Sequence, residues 1–282
     1  MTAELELVAS DLVFGEGPRW HDDALWWSDM HDARVLKLGP TGAVETVCRV
    51  EGRPSGLGWL PGGDLLVVSM TDRRVLRLGV DGALATHADL SKVAPRRAND
   101  MVVDRRGRAY VGNFGFDFDR GEPVAPTVLA LVMPDGAVSV VAEDLYFPNG
   151  SVITEDGRTL IVAETWGARL TAFDIADDGT LSNRRVWAQL PETAVPDGIC
   201  LDAEGAVWVA SPTANACLRV KDGGEIAERI EIGRGAFACM LGGEDRRTLY
   251  MCTADSTDGD ALKKRTGRIE AVKVAVPGAG LP

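Results

Sequence analysis

The chain has 282 residues, 45% of them apolar, enough to bury a full core. A formal charge of −12 and a pI near 4.8 oppose binding to nucleic acid or anionic lipid, since both partners are polyanions that require basic patches. The longest apolar runs, such as Leu65-Leu66-Val67-Val68, fall far short of the ~20 residues of a membrane helix, and Met1 to Glu6 has neither a basic nor an apolar leader region, so a soluble cytoplasmic protein is expected.

Taken in chain order, Leu5-Glu6-Leu7-Val8 reads as a strand that stands before any repeat. From there one pattern recurs six times: a turn with a polar residue, a short apolar strand, a Gly- or Asp-bearing turn and a second apolar strand. The copies begin at Glu16-Gly17-Pro18, Ser55-Gly56-Leu57, Asn99-Asp100-Met101, Asn149-Gly150-Ser151, Asp197-Gly198-Ile199 and Phe237-Ala238-Cys239, with spacings of 39, 44, 50, 48 and 40 residues. That is the period of a repeat supplying one four-stranded propeller blade. The fourth copy is the clearest. Strand A is predicted over 149–154, a turn over 155–158, strand B over 159–164, an alternating strand C over 169–174, and strand D around 185–188. Six C strands can be counted, at 34–38, 74–78, 127–131, 169–174, 217–220 and 268–272. Too little chain follows the last one for a full strand D. The expected fold is therefore all-β: a single six-bladed β-propeller domain over 1–282, closed by pairing of the N-terminal strand with the C-terminal blade.

Antiparallel alternation sorts the loops by face. With strand A starting at the top, the A–B and C–D turns lie at the bottom, where they are short and Gly-rich. The B–C loops, 28–33, 69–74, 112–126, 164–168, 211–216 and 253–267, lie at the top; the third and sixth are long, and long loops on a rigid scaffold tend to be functional. On the same face, equivalent positions of the repeats converge on the axis. Four of the six carry side-chain oxygens: Glu16, Asn99, Asn149 and Asp197. Two carboxylates would balance a divalent cation, and an all-oxygen shell suits a hard ion such as Ca²⁺ or Mg²⁺. Ser55 and Phe237 in the other two slots imply a site open on one side. Taken singly, Asn-Gly and Asp-Gly are also ordinary turn dipeptides, and Glu16 could be an exposed loop carboxylate. The shared register of four acceptors is what favours a metal site.

The five cysteines, 48, 200, 217, 239 and 252, form no C-x-x-C pair and read as reduced, mostly buried thiols. Of the three histidines, His21 falls in a bottom turn and His87 on an outer strand, both expected to be solvated, while His31 lies in a top loop and could reach the pocket. No Gly-x-Ser-x-Gly elbow is present.

Several stretches together resemble the senescence marker protein/gluconolactonase/luciferin-regenerating enzyme family of six-bladed propellers, which includes regucalcin-like lactonases and, more distantly, diisopropyl fluorophosphatase. They are Gly15-Glu16-Gly17-Pro18 with Trp20 and Trp26-Trp27-Ser28-Asp29, Arg97-Ala98-Asn99-Asp100, Pro148-Asn149-Gly150 and Pro196-Asp197-Gly198. The resemblance implies that Glu16, Asn149 and Asp197 hold a divalent ion, that Asn99 contacts the ion or the substrate, and that Arg97 contacts the substrate. It leaves the metal open among calcium, zinc, magnesium and manganese, with calcium foremost. The loop Gly112 to Gly121 departs from the sugar lactonases of the family. Its phenylalanines Phe114, Phe116 and Phe118 point either to a more apolar acyl or aromatic substrate or to packing of the loop on its own scaffold. Phe114, Phe116, Trp166 and Met70 are candidate pocket walls.

The expected activity is metal-dependent opening of a lactone or related ester. The ion polarises the carbonyl, Asp197 serves as base toward water, Arg97 and Asn99 orient the substrate, and Asp100 fixes the surrounding loop. Two alternatives share the same ligands: a phosphotriesterase-like hydrolase, and a non-catalytic propeller that binds calcium. The expected partner is a small-molecule lactone or ester, and the expected state a monomer or small homo-oligomer.

Overall fold

The computed structural model describes residues 4–257 and 263–282. Six four-stranded antiparallel sheets form a ring. Strand β1 (Glu6–Leu12) precedes the first blade, which consists of β2 (Gly15–His21), β3 (Ala24–Asp29), β4 (Arg34–Leu38) and β5 (Val44–Arg49). The second is β6 (Pro54–Trp59), β7 (Leu65–Ser69), β8 (Arg74–Leu78) and β9 (Leu84–Asp89), and the third β10 (Ala98–Val103), β11 (Ala109–Asn113), β12 (Thr127–Val132) and β13 (Val138–Leu145). The fourth is β14 (Pro148–Ile153), β15 (Thr159–Glu164), β16 (Arg169–Ile175) and β17 (Leu181–Gln189), and the fifth β18 (Ile199–Leu201), β19 (Val207–Ser211), β20 (Ala216–Val220) and β21 (Ile226–Glu231). The sixth combines β22 (Gly235–Gly242), β23 (Thr248–Ala254) and β24 (Gly267–Lys273) with β1 as its outer strand.

This is the six-bladed β-propeller that the repeat predicts, and it closes as expected. Leu7 pairs with Glu270, and Leu12 with Gly267. The closing strand reaches Leu12 rather than Val8, because bulges between Leu7 and Leu12 let it follow the twist of β24. Outer strands mix exposed and half-buried residues, as in β5, whereas the inner strands β10 and β14 are buried along their whole length. An inner strand packs on both faces against neighbouring blades, so its residues read as apolar runs with small residues instead of strict alternation.

Two features lay outside the sequence reading. Past β24 the chain crosses the bottom of the ring: Ala279 N–H donates to Leu201 O at 3.0 Å, and Leu281 exchanges hydrogen bonds of 2.8 and 2.9 Å with Ile153. The Asn-Gly of the fourth repeat, moreover, is not a turn. Asn149 and Gly150 lie inside β14, and a Cβ on Gly150 would stand 2.6 Å from Ile199 N and 2.7 Å from the Cα of Gly198. A Cβ on Gly17 would meet Ser55 O at 2.6 Å. Glycine follows the slot residue because the inner strand of one blade rests backbone to backbone on the next. No helix among the described residues is long and apolar enough to cross a membrane.

Gly150→Ala should therefore lower stability by about 1–3 kcal/mol, the usual cost of overpacking a rigid contact. Urea denaturation should show a reduced midpoint with an unchanged slope. Gly62→Ala, where a Cβ would have open space, serves as the control.

Candidate active site

In five blades the innermost strand carries a register shift at the slot residue: between Glu16 and Arg19, Pro54 and Leu57, Ala98 and Met101, Pro148 and Ser151, and Ala236 and Ala238. A bulge re-aims the side chain at its apex and frees local backbone groups from the ladder. Glu16, Ser55, Asn99, Asn149 and Phe237 are therefore released from pleat alternation, whereas Asp197 precedes β18, whose pairing with β19 carries no such shift. Glu16, Asn99, Asn149 and Asp197 are all at least nine-tenths buried.

The structure brings the predicted donors together. Asn149 Nδ2 donates to Asp197 Oδ1 at 2.5 Å and to Thr165 Oγ1 at 3.1 Å. Asn99 Nδ2 faces Pro148 O at 3.5 Å, the backbone carbonyl just before Asn149. Glu16 Oε2 accepts the Gly17 N–H at 3.1 Å. Both amides thus spend their nitrogens on protein acceptors, and among the described residues neither amide oxygen accepts a hydrogen bond.

The carboxylates are stressed. Burial pushes the Glu16 carboxyl well above its usual range, and the negative charges of Asp197 and Asp100 push it further. Burial likewise lifts Asp197 to about 8, against the opposing hydrogen bond from Asn149, and the Asp100 charge adds to the rise. Neither Glu16 nor Asp197 has an ion-pair partner among the described residues.

The third acid is compensated. Arg19, 3% exposed, donates to Asp100 Oδ1 at 2.6 Å, to Met101 O at 2.7 Å, to Leu57 O at 3.0 Å and to Pro18 O at 2.8 Å. One guanidinium therefore ties the inner strands of blades one, two and three below the slots. Asp100 also accepts its neighbour's N–H, Met101 N, at 2.8 Å. The sequence assigned Asp100 to loop fixation but missed Arg19, whose place in Pro18-Arg19-Trp20 carries no signal of where its charge is spent.

Above the slots, the residues two positions earlier form a rim. The carbonyls of Phe14, Arg53, Arg97 and Phe147 accept equivalent hydrogen bonds from Met30, Met70, Phe114 and Thr165, at 2.9, 3.0, 2.9 and 3.2 Å. Buried acids at the ends of B strands pin this rim: Asp29 accepts Val13 N and Phe14 N at 2.9 Å each, and Glu164 accepts Tyr146 N at 2.9 Å. Arg97 is ion-paired with Asp119 of the long loop 112–126, and Arg96 holds Glu122 of the same loop at 2.8 Å.

The proposed walls fall in different places. Phe116 is buried, with its ring centroid 5.9 Å from Phe147 and 6.4 Å from Trp166. Phe114 packs on Phe147 at 4.3 Å. Phe118 and Trp166 are each 45% exposed and lie 6.3 Å apart. Met70 is 1% exposed and belongs to the core below the rim, so it is not a pocket wall. His31 stands edge-on to Phe14 at 5.7 Å. Burial, then Arg53 and Arg97, lower its pKa to about 4, so it is neutral at pH 7. His21 stacks on Trp59 at 3.9 Å and is half-buried. The Nε2 of His87 is buried and has no hydrogen-bond partner among the described residues. The expectation that these two are solvated is therefore corrected: neighbouring blades cover their edges. The second long loop, 253–267, lies partly outside the described residues.

Two clefts of about 860 and 440 Å³ open on the opposite face, among the A–B and C–D turns, and contain none of the four donors. No three His, Cys, Asp or Glu side chains among the described residues form a metal cluster by themselves.

The model of the SMP-30/gluconolactonase/LRE-like region matches residues 14–255. The chain belongs to this family. Among its relatives, the pentonolactonase XacC of Haloferax volcanii is 30% identical over 90% of this chain and 86% of its own length. Regucalcin of Danio rerio is 26% identical over 89% and 86%. A solved calcium-binding protein, regucalcin from Agrobacterium tumefaciens, superposes with a TM-score of 0.85 at 22% identity, covering 100% of this chain and 97% of that one.

Removing the axial guanidinium tests how this family member tolerates its central charges. Arg19→Met leaves Asp100 buried and unpaired and should cost about 3–5 kcal/mol, while adding Asp100→Leu should recover a large part of that loss. A double-mutant cycle by chemical denaturation measures both.

Proposed function

We propose that the protein hydrolyses lactones or related esters on the face where Glu16, Asn99, Asn149 and Asp197 converge, using a divalent cation, calcium foremost. The observation that carries this reading is the set of four converging oxygen donors, two of them unpaired buried carboxylates and two amide oxygens without protein donors. Such a set fits a hard cation: its net charge of −2 matches a divalent ion, its oxygens suit Ca²⁺ or Mg²⁺, and fewer donors than a full shell leave room for water and substrate. Membership of the family and a pentonolactonase among the relatives support the lactone as substrate.

A cation held by Glu16, Asn149, Asp197 and Asn99 would supply Lewis-acid polarisation of the lactone carbonyl. Asp197 takes the proton of the attacking water. The hydrogen bond from Asn149 holds its Oδ1 in place and leaves Oδ2 to accept that proton. Arg97 and Asn99 orient the substrate's oxygens from blade three, next to the Phe114 and Phe147 rings. Phe116 and Trp166 pack edge to face on that side. Opening the ring then needs a proton on the leaving alkoxide, which the protonated Asp197 can return.

Asp197→Asn and Glu16→Gln should each lower kcat/KM by about 10²–10³-fold, the scale for losing one electrostatic stabiliser in a dry site. Circular dichroism should remain that of the propeller. Full activity in either variant on a panel of lactones, esters and phosphotriesters would refute the assignment.

Metal dependence has a separate signature in stability. Because the folded protein holds the Asp197 proton up to about pH 8 and the unfolded chain releases it near 3.8, the folded state binds more protons in between. Without metal, stability should therefore fall as pH rises from about 4 to about 8. Added Ca²⁺ should raise Tm more at pH 8 than at pH 5, since protons and cation compete for the same oxygens. Thermal melts with and without chelator measure this.

A further inference from the structure

The inner-strand register that places Asn99 also places a partner for Arg97. Arg53 stands two residues before Ser55 just as Arg97 stands two before Asn99. Their carbonyls accept the equivalent hydrogen bonds from Met70 and Phe114. Arg53 and Arg97 are thus the rim residues of adjacent blades, two and three, with Phe14 and Phe147 as the rim residues on either side. Both guanidiniums lie near enough to His31 to depress its protonation, and near enough to Asp119 to favour its ionised form.

The charges of this corner do not balance. Asp119 pairs with Arg97, His31 is neutral, and the Arg53 guanidinium makes no hydrogen bond or ion pair among the described residues. An exposed loop carboxylate is thus already seated on one arginine of the pair, while the second has none. The corner stands over Ser55, one of the two slots without a charged or amide side chain, and its positive charge is local in a chain of net charge −12. A neutral sugar lactone gives no reason for two adjacent guanidiniums at this height. A substrate with its own negative charge does, because its oxyanion supplies the partner that the Arg53 guanidinium lacks among the described residues.

We propose that the substrate carries an oxyanion, a carboxylate, sulfonate or phosphate, held between Arg53 and Arg97 on the side of the pocket formed by blades two and three. This rests on the reading that the axial site turns over a lactone or ester, and names the class of molecule it takes. Planar or tetrahedral oxyanions match the fork of guanidinium donors. The Phe14 and Phe147 rings on either side limit competing solvation. Asp119 holds the place of the anion until substrate arrives.

The test compares an aldonolactone with lactones of the same sugar that bear a carboxylate, a sulfonate or a phosphate in place of the terminal hydroxymethyl group. The native protein with Ca²⁺ should favour at least one charged lactone in kcat/KM by about 10-fold or more, the scale of a hydrogen bond to a charged group. The three charged arms show which oxyanion fits. Arg53→Gln should shrink that preference about 10- to 100-fold, mainly through KM, with partial rescue by Arg53→Lys, and the preference should weaken with rising salt. A preference near one, or one unaltered by Arg53→Gln, overturns the proposal. If no lactone is turned over, the hydrolase reading fails on its own, and calorimetry with an open-chain aldonate and the uncharged alditol of the same sugar still decides the subsite. Tighter aldonate binding that Arg53→Gln weakens supports it, and equal binding of the two overturns it.

Discussion

Three carboxylates are buried near one axis, and one arginine answers for only one of them. Glu16, Asp100 and Asp197 act on one another through a poorly screened interior, and Arg19 is spent on Asp100. This excess of negative charge is the constraint on which the rest of the top face depends. A structural ion-pair network would have been closed with a second cation. Here the remaining pair is left with a single backbone donor and a single amide, and the cost is carried by the ring of strands that holds the groups in place. Marginal satisfaction of this kind is typical of sites built to receive a charge from outside.

The scaffold meets that cost through rigidity. Close backbone contacts at Gly17 and Gly150, the guanidinium of Arg19 spanning three blades, and the acids Asp29 and Glu164 behind the rim all fix inner-strand tops against one another. Glu164 is fully buried, with Arg169 at 2.8 Å and Thr171 at 2.5 Å, so its charge is fully used in structure. The contrast with Glu16 and Asp197 separates acids whose charge is answered inside the fold from acids whose charge is not, among the described residues. Above them, the Phe-rich loop is tied down through Arg96 and Arg97, and its rings pack largely against Phe147 and Trp166. Of the two roles considered for these phenylalanines, packing is the one Phe116 shows, while Phe118 is 45% exposed.

The repeat was legible because each blade must bury its own faces with short apolar strands separated by tight turns, and that requirement recurs at every copy. The C strands Arg34–Leu38 and Arg74–Leu78 have the bounds expected from alternation alone. Strand ends were less legible where bulges intervene, as in β1 and in β17, which starts at Leu181 well before the Trp187 segment. The donor set was legible from register, since Glu16, Asn99, Asn149 and Asp197 are equivalent in the repeat. Arg19 and Arg53 were not. Their partners lie in other blades or loops, and nothing local to Pro18-Arg19-Trp20 or Arg53-Pro54-Ser55 records them. Met70 misled because a top-loop position in sequence says nothing about depth.

What the sequence by itself determined is the number of blades, the face on which the polar slots lie and the chemistry of the four donors, because periodicity and residue type are local properties. What only the tertiary structure decided is which charges are compensated. Whether Asp100 is answered by Arg19, Glu16 is left unanswered or Arg53 stands beside Arg97 depends on which blades adjoin across the ring. Electrostatic energy is set by distances of a few ångströms between groups that the chain separates by tens of residues.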